Sequence, residues 1–304
     1  MDELNEQAKR KIEPAQWWVV AVAIACTAGA MLYRVLRHED LLHTAAIFLG
    51  IPTLLSILLA LTPKAKTVTG GILKGITLAL LIVAPLVREG WVCILFASPL
   101  FYVVGLAVGL IVDGFRKRRS TTVSCITLLM LPLCLEGVVP QLTWNRGQSV
   151  TVTRVVDAPS DRVAEALAHS PRIDVRLPAF LRIGFPRPLE ANGDGLDVGA
   201  TRTIHFAGAE GDPPGDLVMR VVESRPGYAR FETVSDASKL TQWVRWQSSE
   251  VQWKPVDAGR SEVTWTIHFE RQLDPAWYFS ALERAAVHEA AKFLIEANAT
   301  PEGR

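Results

Sequence analysis

The stretch DPAWYFSALERAAVHEAAKFLIEA, Asp274 to Ala297, decides the fold of the C-terminal half. Asp274 is placed to cap the first amides of a helix, and Pro275 sits at the first helical position, where a missing N–H costs nothing. Behind them Phe279, Leu282, Ala286, Ala290, Phe293 and Ala297 recur at steps of three and four, while Glu283, Arg284, Lys292 and Glu296 fall mainly elsewhere on the wheel. The spacing predicts a long helix with one sheltered and one wet face. Its small residues, Ala281, Ala285, Ala286 and Ala290, either let a curved sheet come close or leave room for a ligand between sheet and helix.

The strands that would wrap this helix precede it. Ser149–Val156 alternates and is rich in β-branched residues, which predicts an edge or half-buried strand ending at Asp157-Ala158-Pro159. Ser160 is expected to cap a short helix over Asp161–His169, closed by Pro171. The next segment, Arg172–Gly199, is rich in proline and glycine and reads as irregular chain with one short helix near Pro178–Ile183. A meander of strands follows at Ala200–Phe206, Asp216–Ser224, Tyr228–Ser235, Leu240–Val256 with an irregularity near Gln247–Ser249, and Ser261–Leu273. Turn signals at Asp212–Gly215, Arg225–Gly227 and Asp257–Arg260 separate them. In the last strand Val263, Trp265, Ile267 and Phe269 share a face against Thr264, Thr266, His268 and Glu270, the alternation of a sheet buried on one side.

The opening Val152-Thr153-Arg154-Val155-Val156-Asp157-Ala158-Pro159-Ser160-Asp161-Arg162-Val163, with the meander and terminal helix in this order, resembles the START/Bet v 1-like superfamily, also called SRPBCC, and within it the polyketide cyclase/dehydrase-like group. The resemblance covers about residues 148–298 and none of the chain before them. It implies an α+β helix-grip fold, an antiparallel curved sheet around the last helix, enclosing an apolar cavity. Across the superfamily such cavities bind lipids, sterols, polyketides or hydrophobic hormones, and only some branches catalyse. The long Arg172–Gly199 stretch departs from compact members and leaves the cavity entrance open.

Composition separates the first half of the 304-residue chain from the second. Five apolar runs, 15–33, 41–61, 71–87, 91–112 and 121–139, approach the roughly 20 residues that cross a bilayer core. Trp17, Trp18, Tyr33 and Trp91 stand at run ends, where amphipathic rings favour the interface. The domains expected are therefore a segment 1–14, an α-helical transmembrane bundle over 15–140, a linker 141–147 and the helix-grip domain 148–304. The third run, with Lys74 and two glycines near its start, is the weakest span. Ten basic residues (Lys9, Arg10, Lys11, Lys64, Lys66, Lys74, Arg116, Lys117, Arg118, Arg119) flank the spans on one side, against four (Arg34, Arg37, Arg88, Arg146) on the other. With five spans this puts the N-terminus in the cytoplasm and the C-terminal domain outside it, in a plasma membrane of bacterial type. Loss of one span reverses the placement. Ala28-Gly29-Ala30 offers a cleavage site, but the long run and the spans after it favour an uncleaved anchor.

Cys26, Cys93, Cys125 and Cys134 all lie in the runs, so the second half has neither a disulfide framework nor a cysteine metal cluster. His43, Asp113 and Glu136 lie near span ends and read as interfacial side chains. Basic runs beside the spans answer to anionic lipid, so nucleic acid is not an expected partner; a hydrophobic small molecule or lipid and the membrane are. No metal or other cofactor is called for.

The candidate cavity residues are Arg202, Met219, Glu223, Phe231, Trp265, Phe269, Phe279, Leu282 and Ala286. Arg202 alternates with Ile204 and Phe206 and reads either as an inward group meeting an anionic head group or buried carboxylate, or as a rim ion pair. Glu223 follows Leu217, Met219 and Val221 and is expected at the cavity end. His205, Arg230, Arg245 and His268 are the other strand candidates for acid–base work, with His268 expected on the outer face. Catalytic residues stay unassigned. Three functions remain: a membrane-anchored binder of lipid or isoprenoid-like ligands, a cyclase/dehydrase-like enzyme, and a structural or regulatory protein whose domain is closed.

Overall fold

The computed structural model describes residues 14–36, 50–83, 91–117, 136, 141, 143–208 and 213–299. The chain forms two compact units, Met1–Leu129 and Met130–Arg304.

The first unit contains helices α1 (Pro14–Leu36), α2 (Ile51–Leu61), α3 (Val68–Val83) and α4 (Trp91–Lys117). Two stretches, Pro14–Leu32 and Ile94–Gly114, are long and apolar enough to cross a bilayer; α2 and α3 are shorter. The fifth expected run lies outside the described residues except for Glu136, as does His43. Close packing of α3 on α4 has a local cause in the small residues of α4. A β-carbon on Gly109 would stand 2.6 Å from the Thr69 α-carbon, and one on Gly105 would stand 2.2 Å from Ile76 Cδ1. One turn beyond Gly109, Asp113 accepts hydrogen bonds from the backbone N–H of Val68 and Thr69, both at 2.9 Å, and from the Thr69 hydroxyl at 2.6 Å. It therefore caps the start of α3, a stronger tie than the interfacial side chain expected. Gly109→Val is expected to force the two helices apart, because its clash is with backbone, and to cost about 1–3 kcal/mol in denaturant unfolding of the full chain. An unchanged midpoint would contradict this packing.

In the second unit, seven antiparallel strands form one sheet in the order β1-β7-β6-β5-β4-β3-β2. They are β1 (Gly147–Val156), β2 (Pro188–Asn192), β3 (Thr201–Phe206), β4 (Gly215–Arg225), β5 (Tyr228–Asp236), β6 (Val244–Pro255) and β7 (Ser261–Arg271). Helix α5 (Ser160–Ala168) and the terminal α6 (Ala276–Ala299) complete the unit, and α6 packs on β1, β7 and α5. The sheet grips the last helix as expected. Strand β7 shows why: every second side chain, from Ser261 to Arg271, is buried and the alternate ones are half-exposed. Fully buried Ile267 and Phe269 contribute roughly 1.5–3 kcal/mol each. The irregularity expected near Gln247 is a bulge between Trp246 and Ser248, which buries both Ser248 and Ser249. Strand β2, inside the segment expected to be irregular, pairs with β3, and the short helix expected near Pro178 is a 3-10 turn at Leu181–Ile183.

Two capping expectations change. Ser160 makes no cap, since Pro159 occupies that position of α5 without a side-chain bond. Asp274 does not cap α6. Its carboxylate is taken by Arg146 at 2.6 Å and Arg271 at 2.5 Å, and the Ala276 N–H is accepted instead by Glu136 at 2.8 Å. Glu136, expected at the rim of a membrane span, also pairs with the fully buried Arg271 at 2.8 Å and accepts the Trp144 N–H at 3.3 Å. The Arg271 guanidinium meets further acceptors in the carbonyls of Trp144 and Leu273, each at 2.9 Å. Glu136 and residues 143–146 therefore belong to the body of the second unit.

Candidate functional site

The site is the concave face of the sheet and the face of α6 turned to it. Inward positions of the register carry Val150, Val152, Trp265, Ile267, Phe269, Val251, Ala229, Phe231, Val221, Met219 and Leu217, all buried. From α6, Val287, Ala291 and Ile295 join this core, and Phe279 and Ala286 are buried as well. Of the residues expected to line a cavity, Arg202, Met219, Phe231, Trp265, Phe269, Phe279 and Ala286 are buried and Leu282 is half-buried.

Glu223 departs from the expectation. The register of β4 shifts between Val221 and Glu223, the strand is exposed from Val222 onward, and Glu223 pairs with Arg225 at 3.2 Å. His205 bonds to Asp216 at 2.6 Å at an exposed position, Arg245 pairs with Glu270 at 3.5 Å, and Arg230 with Glu232 at 3.1 Å. His268 meets Glu250 at 3.4 Å on the outer side, as its alternation requires. Among the described residues no three His, Cys, Asp or Glu side chains gather to hold a metal ion.

Arg202 lies opposite Met219 in the β3–β4 register, and only 5% of it is exposed. One guanidinium nitrogen donates to the Leu167 carbonyl at the end of α5 and another to Asn298 Oδ1 at 3.4 Å, while the charge stands 4.9 Å over the Phe231 ring. Among the described residues no carboxylate forms an ion pair with it, and its Nε is buried without a partner. Burial lowers its pKa to about 10, with Asp194 opposing, so the group stays cationic at neutral pH. A buried cation held only by neutral acceptors is costly, and an anionic or strongly accepting ligand group would relieve that cost.

Glu283, expected on the wet side of α6, is only 4% exposed. The missed signal is its spacing: it stands four residues after Phe279 and three before Ala286, inside the apolar stripe. Its Oε1 accepts the N–H groups of Gln272 and Leu273 at 3.1 Å each, and its Oε2 is buried with no partner. Burial raises its pKa to about 7, against the pull of those two bonds and of Arg271. One turn earlier, Ser280 accepts from Gln148 Nε2 at 3.1 Å, leaving Gln148 Oε1 unpartnered. Gln148 faces Phe269, and Phe269 faces Trp246, whose indole N–H is also buried and unpartnered. By contrast the Trp265 indole donates to Ser249 at 3.0 Å, so it is fixed as packing.

No protein-family model and no curated protein matches the sequence. Solved structures similar to part of the chain include an aromatase/cyclase from a Streptomyces species, at 19% identity over 50% of this chain and 86% of that one, with a TM-score of 0.30. Norcoclaurine synthase from Thalictrum flavum, crystallised with dopamine and hydroxybenzaldehyde, is 15% identical over 50% and 86%, with a TM-score of 0.33. A major latex-like protein from Panax ginseng is 14% identical over 48% and 97%, with a TM-score of 0.29.

The Glu283 carboxyl sets a pH dependence. Its folded pKa lies above the ordinary 4.5, so the folded state holds a proton that the unfolded chain releases, and stability falls as pH rises from about 4.5 to about 7. Glu283→Gln removes that slope. Unfolding midpoints of the two proteins between pH 5 and 8 are expected to diverge by at most about 3 kcal/mol, with the variant more stable at the alkaline end. Parallel curves would mean that the carboxyl is ionised throughout.

Proposed function

We propose that the C-terminal domain binds a hydrophobic small molecule, of lipid or isoprenoid type, between the concave sheet and α6, with an anionic or strongly accepting end against Arg202. The observation that carries this reading is the buried Arg202 guanidinium, cationic, with no carboxylate partner among the described residues and with one nitrogen unpartnered among apolar walls. The N-terminal half anchors the domain in a membrane through Pro14–Leu32, Ile94–Gly114 and the neighbouring apolar helices, with the domain on the side opposite the more basic segments. Anchoring gives a membrane-soluble ligand a high effective concentration at the site. The test is native mass spectrometry of the full chain released from detergent, followed by organic extraction. A bound species near one per chain, whose extract contains an acidic or phosphorylated lipid, is expected. A bare mass before and after incubation with membrane extract counts against the proposal.

A second reading, a cyclase/dehydrase-like enzyme, is favoured by Glu283 alone, a carboxyl with a pKa of about 7 and one free oxygen beside apolar walls. It requires that Glu283→Gln bind the extracted ligand as tightly as before and fail to convert it.

A further inference from the structure

Three buried polar atoms that lack a hydrogen-bond partner among the described residues stand under the first turns of α6: Glu283 Oε2, Gln148 Oε1 and Trp246 Nε1. Glu283 is 4% exposed and Trp246 8%. The register places them together. Gln148 on β1 lies opposite Phe269 on β7, and Phe269 lies opposite Trp246 on β6, each pair about 5 Å apart at the β-carbons. Gln148 Nε2 donates to Ser280 Oγ at 3.1 Å, and Glu283 follows Ser280 by three residues, its neighbour on that side of the helix. The N–H groups of Gln272 and Leu273, at 3.1 Å each, draw the Glu283 carboxyl over the end of β7, and the Gln272 N–H also reaches the Trp243 carbonyl just before β6.

Buried polar atoms are nearly always hydrogen-bonded, as the Trp265 indole is by Ser249 at 3.0 Å, so three orphans at one place point to a group from outside the chain. Their chemistry selects that group. The indole N–H only donates and the amide oxygen only accepts. An ammonium has no lone pair for Trp246, and a carbonyl or carboxylate has no proton for Gln148. A hydroxyl has one O–H and two lone pairs, and it serves both. With a pKa of about 7 the Glu283 carboxyl offers either an acceptor or a donor, and a hydroxyl answers each.

We infer that this cluster is a hydroxyl subsite: the ligand held at Arg202 carries at its far end an alcohol that accepts from the Trp246 indole and donates to Gln148 Oε1 or the Glu283 carboxyl. This rests on the ligand reading above and narrows it. Asn298, which meets Arg202 at 3.4 Å, stands fifteen residues after Glu283 on α6, so the two polar ends lie about 22 Å apart along the helix. The ligand class is a long apolar chain with an acidic group at one end and an alcohol remote from it. A plain fatty acid leaves the three atoms unsatisfied, and a diacid sets its second carboxylate against Glu283.

The experiment is a competition read by native mass spectrometry of the full chain, offered equal amounts of ω-hydroxyhexadecanoate and hexadecanoate, and separately hexadecanol. The hydroxy acid is expected to be retained roughly tenfold or more over the plain acid. Trp246→Phe, which keeps an aromatic ring and removes the N–H, is expected to bring that ratio within about twofold of unity. Gln148→Met, which removes the acceptor, gives the same reading if the first variant does not fold. Equal retention of the two acids by the parent overturns the subsite and leaves the Arg202 reading intact, with an ordered water as the partner of the three atoms. A preference that survives both variants overturns its assignment to these residues. Retention of hexadecanol alone, lost in Trp246→Phe, keeps the subsite and overturns the Arg202 reading. Retention of none of the three overturns both.

Discussion

Glu136→Ala is expected to lower the stability of the C-terminal domain by about 3–5 kcal/mol, a large part of the roughly 5–15 kcal/mol that holds an ordinary domain together. The substitution leaves the fully buried Arg271 with Asp274 as its remaining carboxylate partner among the described residues, and it strips the acceptor from the N–H groups of Ala276 and Trp144. Asp274 is shared with Arg146 and partly exposed, so it does not replace a carboxylate that is 4% exposed. Glu136→Gln keeps both acceptor positions only in part and should fall between. Replacing both partners, Glu136→Leu with Arg271→Met, removes the buried charges together and should recover most of the loss. Urea unfolding of the full chain in detergent, followed by near-ultraviolet circular dichroism, reads all three. The same ion pair implies that a fragment beginning at Gln148 is less stable than one beginning at Met130 by a similar amount. Equal stability of the two fragments would show that Glu136 and residues 143–146 merely rest on the domain.

Arg202→Met is expected to abolish ligand retention, by roughly 30-fold or more in affinity, while leaving the empty protein as stable as before or more so. The asymmetry follows from the charge. Burial of this guanidinium costs on the order of 3 kcal/mol, set by a pKa lowered to about 10, and the neutral Leu167 carbonyl, Asn298 amide and Phe231 ring offset only part of that. Methionine fills similar volume without the charge. A ligand with an acidic or phosphorylated end, by contrast, loses its counter-charge in a dry site. Native mass spectrometry of the variant beside the parent, with thermal melts of both, separates the two roles. If the ligand stays and the melting temperature drops, Arg202 serves as a cap on the end of α5 and the ligand-binding role fails.

The alternation of β7 and the three- and four-residue steps of α6 are local properties, so the meander of strands and the long last helix are legible in the sequence, whereas β2 and its place at the sheet edge are not. Alternation with Ile204 and Phe206 leaves Arg202 either an inward or a rim position, and its burial in the folded domain is what separates the two. Glu223 was misplaced because alternation assumes an unbroken register, and a shift beside Val221 together with the end of sheet cover leaves it in solvent. The charge of Glu283 points to solvent and its spacing from Phe279 and Ala286 points to the apolar stripe, and the fold follows the spacing.

What the sequence determined alone is the architecture of the second half and the apolar character of the first, since period, turn residues and run length are written along the chain. What only the tertiary structure decided is which polar groups meet. Asp274 looked like the cap of α6 because it is adjacent, but a buried arginine three residues before it outcompetes the amides for its charge. The amide then takes Glu136, 140 positions away. Pairings of that kind depend on which side chains folding deprives of water, and a linear pattern has no term for them.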